Sequence, residues 1–389
     1  MTLKNDIIKS IIKVVGKKKH HLHEPLFCGN EIKYLKKTIK TNLVSSVGPF
    51  VTKFENKIRK FTRSKYAISV VNCTEALHLS LVACGVNNDD EVLVPTITFA
   101  GTVNAIVYSG AIPHFVDSEF ETLGIDPIKL EKYLEKIIIK KGKFYFNKKT
   151  KRRIKAIIPV HVFGNICQVD KIIKIAKKYN FLVIEDAAEA LGSFFKNKHA
   201  GTFGLAGCFS FNGNKIMTTG GGGAIITNNK LLARKIKHLS TTAKINHHWE
   251  YIHDAVGYNF RMPNLNAALG CAQIENLNKF LKSKKQLFLE YCREFSKIKD
   301  VRLIKNPMFS KSNNWLNTIL INNSSLKKRD SLIKFSHKND LFIRPIWRPL
   351  HQLKHFKSMP KMNLANAKKI YISCINLPSS AHYFFDNKL

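Results

Sequence analysis

Between residues 66 and 227 short apolar runs alternate with helix-like stretches, and this alternation constrains the fold more than any other feature of the chain. Residues 66–71 read as an apolar strand. An Asn72-Cys73-Thr74 turn follows, then a helix with Leu77, Leu81 and Cys84 on one face that stops at Gly85. Strands at 91–95 and 112–116 flank a helix at 102–109, and Asp126-Pro127 opens another helix with proline in its first turn. Strands at 154–160 and 181–184 flank a helix at 169–179, and 208–211 and 223–227 read as two more strands. Strand and helix alternating over about 160 residues predict an α/β fold, a mostly parallel sheet with helices on both faces in three layers. Such sheets bind ligands beyond the carboxyl ends of their strands. Thr74, Asp186 and Lys215 fall at or just past such ends.

The flanking segments read differently. Ile7, Ile8, Ile11 and Ile12 give a short amphipathic helix, with no apolar signal core and no cleavage site. Residues 23–51 form a loop-rich lead-in with a helix at 30–41 that Val44-Ser45-Ser46-Val47-Gly48-Pro49 breaks, and 54–61 is a second short helix. Residues 140–153 are strongly basic around Phe144-Tyr145-Phe146-Asn147, which reads as a solvated loop, with an inserted hairpin as the alternative. After Asn264, Leu265, Ala268, Leu269 and Ala272 mark a helix that continues towards Phe295. Short strands at 301–304 and 318–321 and a helix at 324–337 come after it. The division expected is a large domain over 1–262, its lead-in at 1–50, and a smaller α+β domain over 263–389, without internal repeats.

One lysine in the large domain has an unusual setting. Lys215 lies between Phe209-Ser210-Phe211-Asn212-Gly213-Asn214 and Gly220-Gly221-Gly222-Gly223. A lysine that forms a Schiff base needs a partly desolvated amine, and glycines allow a planar cofactor to come close. A pyridoxal phosphate site also needs an anion cradle, a carboxylate for the ring nitrogen and an aromatic against the ring. Thr74 at a helix start, Asp186 after a strand and Phe99 after Pro95-Thr96-Ile97-Thr98 match those needs in type. Taken singly, each has an ordinary explanation: a helix cap, a turn residue and a core aromatic.

In this order the motifs resemble a known family. The residues are Asn72-Cys73-Thr74-Glu75-Ala76-Leu77, Pro95 to Phe99, Pro159-Val160-His161-Val162-Phe163-Gly164 and Ile184-Glu185-Asp186-Ala187-Ala188-Glu189-Ala190. Phe209-Ser210-Phe211 with Lys215, and Gly257-Tyr258-Asn259-Phe260-Arg261-Met262, complete the set. Together they resemble the DegT/DnrJ/StrS sugar aminotransferases of the aspartate-aminotransferase fold type, over about residues 22–380. His23-Glu24-Pro25, Gly29-Asn30-Glu31, 44–48, Asn212-Gly213-Asn214, Arg344-Pro345-Ile346-Trp347 and Leu377-Pro378-Ser379-Ser380 resemble one subgroup. That subgroup aminates UDP-linked 4-keto-6-deoxy-N-acetyl sugars on routes to bacillosamine and legionaminic acid. Ala190 departs from the serine common there.

The resemblance implies pyridoxal 5′-phosphate as cofactor and L-glutamate and a UDP-4-keto-6-deoxy amino sugar as substrates. It implies that Lys215 forms the Schiff base, Asp186 binds the ring nitrogen and Glu189 lies near the phenolic oxygen. Phe99 stacks on the ring, while Thr74, the Glu75 backbone and Ser210 hold the phosphate. Asn259 reaches the cofactor of a neighbouring subunit in a homodimer. Asn212, Asn214, Arg261, Trp347 and His351 are expected to contact substrate. Lys215 favours transamination over the related dehydratases, some of which carry histidine there.

Composition bounds the alternatives. Lys and Arg number 64 against 27 acids, a net charge of +37 that would suit nucleic acid or an anionic membrane. The excess is mainly scattered lysine beside many Asn, Ile and Phe, as AT-rich codon usage produces, with no arginine-rich tail. Neither nucleic acid nor a membrane span is therefore expected, and the charge would draw in a polyanionic nucleotide sugar. The eight cysteines have neither CxxC nor metal-type spacing, which suits a reducing cytoplasm, and no metal site is expected. A desulfurase would want a cysteine in a flexible loop, and a basic regulator an attached helix-turn-helix; the sequence offers neither.

Overall fold

The computed structural model describes residues 2–385; Met1 and residues 386–389 of the two expected domains lie outside them. A seven-stranded sheet forms the centre. Its strands in chain order are β1 (Tyr66–Val70), β2 (Glu91–Pro95), β3 (Ile112–Val116), β4 (Ile154–Ile157), β5 (Leu182–Asp186), β6 (Ala206–Ser210) and β7 (Gly223–Thr227). They lie in the order β1-β7-β6-β5-β4-β2-β3. Strand β7 runs antiparallel to both its neighbours, with Tyr66 opposite Thr227 and Gly207 opposite Ile226, and the other pairings are parallel. The expected mostly parallel sheet is therefore present. Fully buried strands such as β2 and β7 read as continuous apolar runs because both faces are covered.

Helices α1 (Leu3–Val15), α2 (Glu31–Lys40), α3 (Pro49–Thr62), α4 (Cys73–Ala83), α5 (Ala100–Tyr108), α6 (Pro127–Ile137) and α7 (Val169–Lys178) precede or interleave with these strands, and α8 (Lys230–Ser240) follows the last of them. Local chemistry sets their starts. The Asn72 side chain accepts from the Glu75 N–H to cap α4, and Asp126 accepts from Lys129 N–H to cap α6 ahead of Pro127. Two expectations shift. Gly48-Pro49 starts α3 rather than merely ending the previous helix, because proline is tolerated where the N–H has no intrahelical partner. The expected strand at 154–160 ends as β4 at Ile157, just before Pro159, which has no N–H for the ladder. The basic segment expected as a solvated loop is instead a hairpin, Ile138–Lys141 paired with Phe144–Asn147. It is tied to the sheet where the Asn147 amide donates to the buried Glu91, which also meets His114 Nδ1 at 2.7 Å.

Helix α9 (Asn264–Phe295) spans 32 residues. Beyond it β8 (Val301–Leu303), β9 (Asn317–Ile321), β10 (Arg344–Pro345) and β11 (Cys374–Leu377) form an antiparallel sheet in the order β8-β9-β11-β10, with α10 (Leu326–His337) and α11 (Ala365–Ser373) alongside. Sequence reading missed α11 and β11. Two apolar cores result. The larger covers the central sheet and includes C-terminal residues such as Trp315, Leu350 and Ile370. The smaller joins Ile7, Ile8 and Ile11 of α1 to Leu287, Tyr291, Ile319 and Ile375. The N-terminal helix thus packs with the C-terminal segments, and α9 runs from one core to the other. Among the described residues no helix is long and apolar enough to cross a membrane.

Candidate active site

A cavity of about 660 Å³ opens where β1, β5 and β6 end. Parallel strands deliver their following loops to one edge, so residues far apart in sequence meet there. Thr74, Phe99, Asp186, Glu189, Ser210, Asn212, Asn214, Lys215 and Trp347 all line it. Lys215 Nζ donates to Glu189 Oε1 at 3.0 Å. Glu189 is 6 % exposed, and its other oxygen accepts the Phe163 N–H at 2.9 Å. Burial raises the Glu189 carboxyl above its ordinary range, against the opposing pull of Lys215.

Asp186 ends β5 with 5 % exposure. Its Oδ2 accepts from the Thr102 hydroxyl at 2.6 Å, Thr102 pairs with Thr98 at 2.7 Å, and Oδ1 accepts the Ala188 N–H at 3.1 Å. Burial raises its pKa, and the Thr102 hydrogen bond pulls against this. Among the described residues Asp186 has no ion-pair partner, and an uncompensated buried carboxylate is costly. A protonated pyridine nitrogen supplies the missing cation, so the residues present fit the cofactor that the motifs imply. The neighbouring Glu185 stiffens this strand end by accepting from the N–H groups of Gly201, Phe203 and Gly204.

Other expected residues fall elsewhere. The Glu75 N–H is held by Asn72 Oδ1 at 2.9 Å, and its carboxylate faces His78. His351 lies outside the cavity, 8 % exposed, with Nδ1 at 2.8 Å from the Thr96 hydroxyl. Burial holds its pKa at about 4, so it packs as a neutral ring outside the cavity lining. Asn259 and Arg261 are exposed beside β1, in contact with each other at 3.4 Å. Within one chain they do not reach the cavity lining.

The glycine run also does something other than line a cofactor. None of Gly220 to Gly223 borders the cavity. Gly220 turns the chain at φ +80°, and a Cβ on Gly223 would lie 2.5 Å from the Asn72 carbonyl carbon and 2.8 Å from the Cys73 nitrogen. The run lets β7 start against the N-terminus of α4, directly behind Thr74.

Sequence reading missed several lining residues: Thr98, Thr102, Phe163, Trp315, Arg344 and Asn376. Thr102 follows Phe99 by three residues and was legible only as part of a helix. Trp315 carries no local signal, since Asn214 and Lys215, which it meets in the cavity, lie about a hundred positions away. Its ring lies 4.0 Å from Lys215 Nζ and its Nε1–H donates to the Asn214 carbonyl. No group of three or more His, Cys, Asp or Glu among the described residues is arranged to hold a metal.

Comparison with known proteins gives the family. Residues 28–386 match the model of the DegT/DnrJ/EryC1/StrS aminotransferase family. GDP-perosamine synthase of Escherichia coli O157:H7 is 35 % identical over 358 residues, 92 % of each chain. The UDP-4-amino-4,6-dideoxy-N-acetyl-beta-L-altrosamine transaminase of Campylobacter jejuni is 30 % identical over 351 residues, covering 90 % of this chain and 89 % of that one. Helicobacter pylori PseC, an aminotransferase involved in the biosynthesis of pseudoaminic acid, superimposes with a TM-score of 0.84 at 25 % identity over 94 % of both chains. With the match spanning nearly the whole sequence, this chain belongs to the DegT/DnrJ/EryC1/StrS family of pyridoxal phosphate-dependent sugar aminotransferases.

Proposed function

We propose that the chain transfers the amino group of L-glutamate to the C4 keto group of a UDP-linked 4-keto-6-deoxy-N-acetyl sugar, for the synthesis of a surface-glycan sugar. The observation that carries the transaminase reading is the Lys215 amine, 3.0 Å from Glu189 and in one cavity with the unpaired Asp186. The altrosamine transaminase supports a UDP sugar, and the perosamine synthase makes a GDP sugar the second reading.

Pyridoxal phosphate, when bound, supplies the carbonyl that takes up nitrogen and the electron sink that acidifies the substrate C–H. Thr74, Ser210 and the first-turn N–H groups of α4 other than that of Glu75 would bind its phosphate, because a helix N-terminus favours an anion. Asp186 would accept the ring N–H, with the Thr102 hydroxyl keeping that carboxylate oriented. Phe99 would cover a ring face. Lys215 would hold the cofactor and, once free, move the proton at sugar C4. Glu189 fixes the direction of that amine. Asn212, Asn214 and Trp347 bound the space for the sugar. Asn259 and Arg261 of a second copy would complete the wall in a homodimer.

Lys215→Ala tests the core of this reading. It should lower turnover at least a thousandfold, about 4 kcal/mol of transition-state stabilisation, and abolish the visible absorbance of lysine-bound cofactor. Undiminished turnover would sink the assignment. A panel of UDP- and GDP-4-keto sugars, assayed with glutamate, decides the nucleotide: a kcat/KM higher for the GDP sugars overturns the UDP choice.

A further inference from the structure

We propose that Trp315 is a positioning residue for the Lys215 amine, held from behind by the buried Lys284. This rests on the reading of Lys215 as the reactive lysine and adds a part of the site contributed from beyond α9. A lysine amine on its four-carbon stem is a mobile point charge, and ordering it costs rotamer entropy. Glu189 restrains Lys215 from one direction only. The Trp315 ring restrains it from another, with its centroid 4.0 Å from Nζ. The same indole donates its N–H at 2.8 Å to the carbonyl of Asn214, the residue preceding the lysine. Trp315 therefore holds both the base and the tip of the lysine side chain.

Trp315 is itself firmly placed. It is 4 % exposed. Its backbone N–H donates to Asn313 Oδ1 at 2.9 Å, and the Asn313 side-chain amide donates to the carbonyls of Glu189 at 2.7 Å and Leu191 at 2.9 Å. Residues 313 and 315 thus grip both members of the Lys215–Glu189 pair. The Trp315 carbonyl accepts from Lys284 Nζ at 3.1 Å, and Lys284 also donates to the Ser379 carbonyl. Lys284 lies on α9 with 0 % exposure and, among the described residues, no carboxylate partner. Burial lowers its pKa well below the ordinary lysine value, and its N–H groups are directed at these two carbonyls. A buried lysine that bonds only backbone carbonyls earns its place by fixing those carbonyls, and one of them belongs to Trp315.

The test uses the full chain, stripped of cofactor and mixed with pyridoxal phosphate, with covalent capture followed by its visible absorbance. Trp315→Leu removes the ring face and should slow capture and lower kcat about tenfold, with KM changed less than about twofold. Trp315→Phe keeps a face and should recover both to within about threefold of the parent. Lys284→Met should slow capture alone, yet add no further slowing to Trp315→Leu, since it acts through the same residue. Capture and kcat within about twofold of the parent in Trp315→Leu overturn the proposal, as does additive slowing in the double variant. If Trp315→Leu does not fold, Trp315→Met takes its place in both comparisons. Lys215→Ala run alongside separates the two readings: persistent capture there refutes the role of Lys215 itself.

Discussion

Lys215 differs from the chain's other lysines by what it faces: Glu189 at 3.0 Å and the Trp315 ring at 4.0 Å. The sequence alone marked it through Ser210, which lines the same cavity, and through neighbouring glycines, none of which borders it. Two histidines show why residue type is a weak guide without packing. His351 was expected at the substrate and is instead a buried neutral ring on Thr96. His199, 2 % exposed, accepts the Gly192 N–H at Nε2 (2.8 Å) and meets the Ala200 carbonyl at Nδ1 (2.6 Å). Burial holds its pKa at about 4, below the value of 6.5 of a free ring. Between those values the unfolded chain binds a proton that the folded chain refuses. Stability therefore falls as pH drops through this window, by up to about 1.4 kcal/mol per pH unit from this one group. His199→Gln should flatten the stability profile between pH 7 and pH 5 in urea melts. An unchanged slope would show that the ring does not titrate on unfolding.

At the scale of elements, periodicity and caps were legible and close approaches were not. Alternating apolar runs marked all seven central strands, because strand burial and helix faces are written into local spacing. Gly48-Pro49 was misread because the same dipeptide can end one element and begin another. Strand β11, Cys374–Leu377, was missed because it follows α11 directly, with no turn residue between them to mark where helix gives way to strand. The contact between β7 and α4 is likewise invisible in sequence. Its test is Gly223→Ala, where the added methyl would press on backbone at Asn72 and Cys73 rather than on a movable side chain. The substitution should cost about 1–3 kcal/mol. It should also weaken pyridoxal phosphate binding, measured by titrating the cofactor-free protein, because Thr74 sits on the displaced turn. Unaltered affinity and stability would mean that the backbone yields there without effect on the site.

At the scale of the whole molecule, an exposed apolar cluster stands close in sequence to Asn259 and Arg261. Residues 244–253 form a small hairpin, with Lys244 opposite His253. On and after it Trp249, Tyr251 and Val256 are 78 %, 81 % and 86 % exposed, just before the exposed Asn259 and Arg261. Large apolar side chains clustered in the open mark a contact surface. A second copy is the occupant we expect, since Asn259 and Arg261 have no cavity to serve on their own chain. Sedimentation should give twice the 44.3 kDa chain mass, and Trp249→Lys with Tyr251→Lys should halve it and lower turnover at least about tenfold. A fully active monomer would sink this expectation.

By itself the sequence determined the order of elements, the parallel character of the sheet and the edge where a ligand would bind, because these follow from spacing and steric rules a few residues long. Only the tertiary structure decided which residues share the cavity. It set His351 aside, brought Trp315 and Lys284 behind the lysine, and gave the glycines to β7 and α4, because burial and contact at each of these places depend on segments remote in the chain.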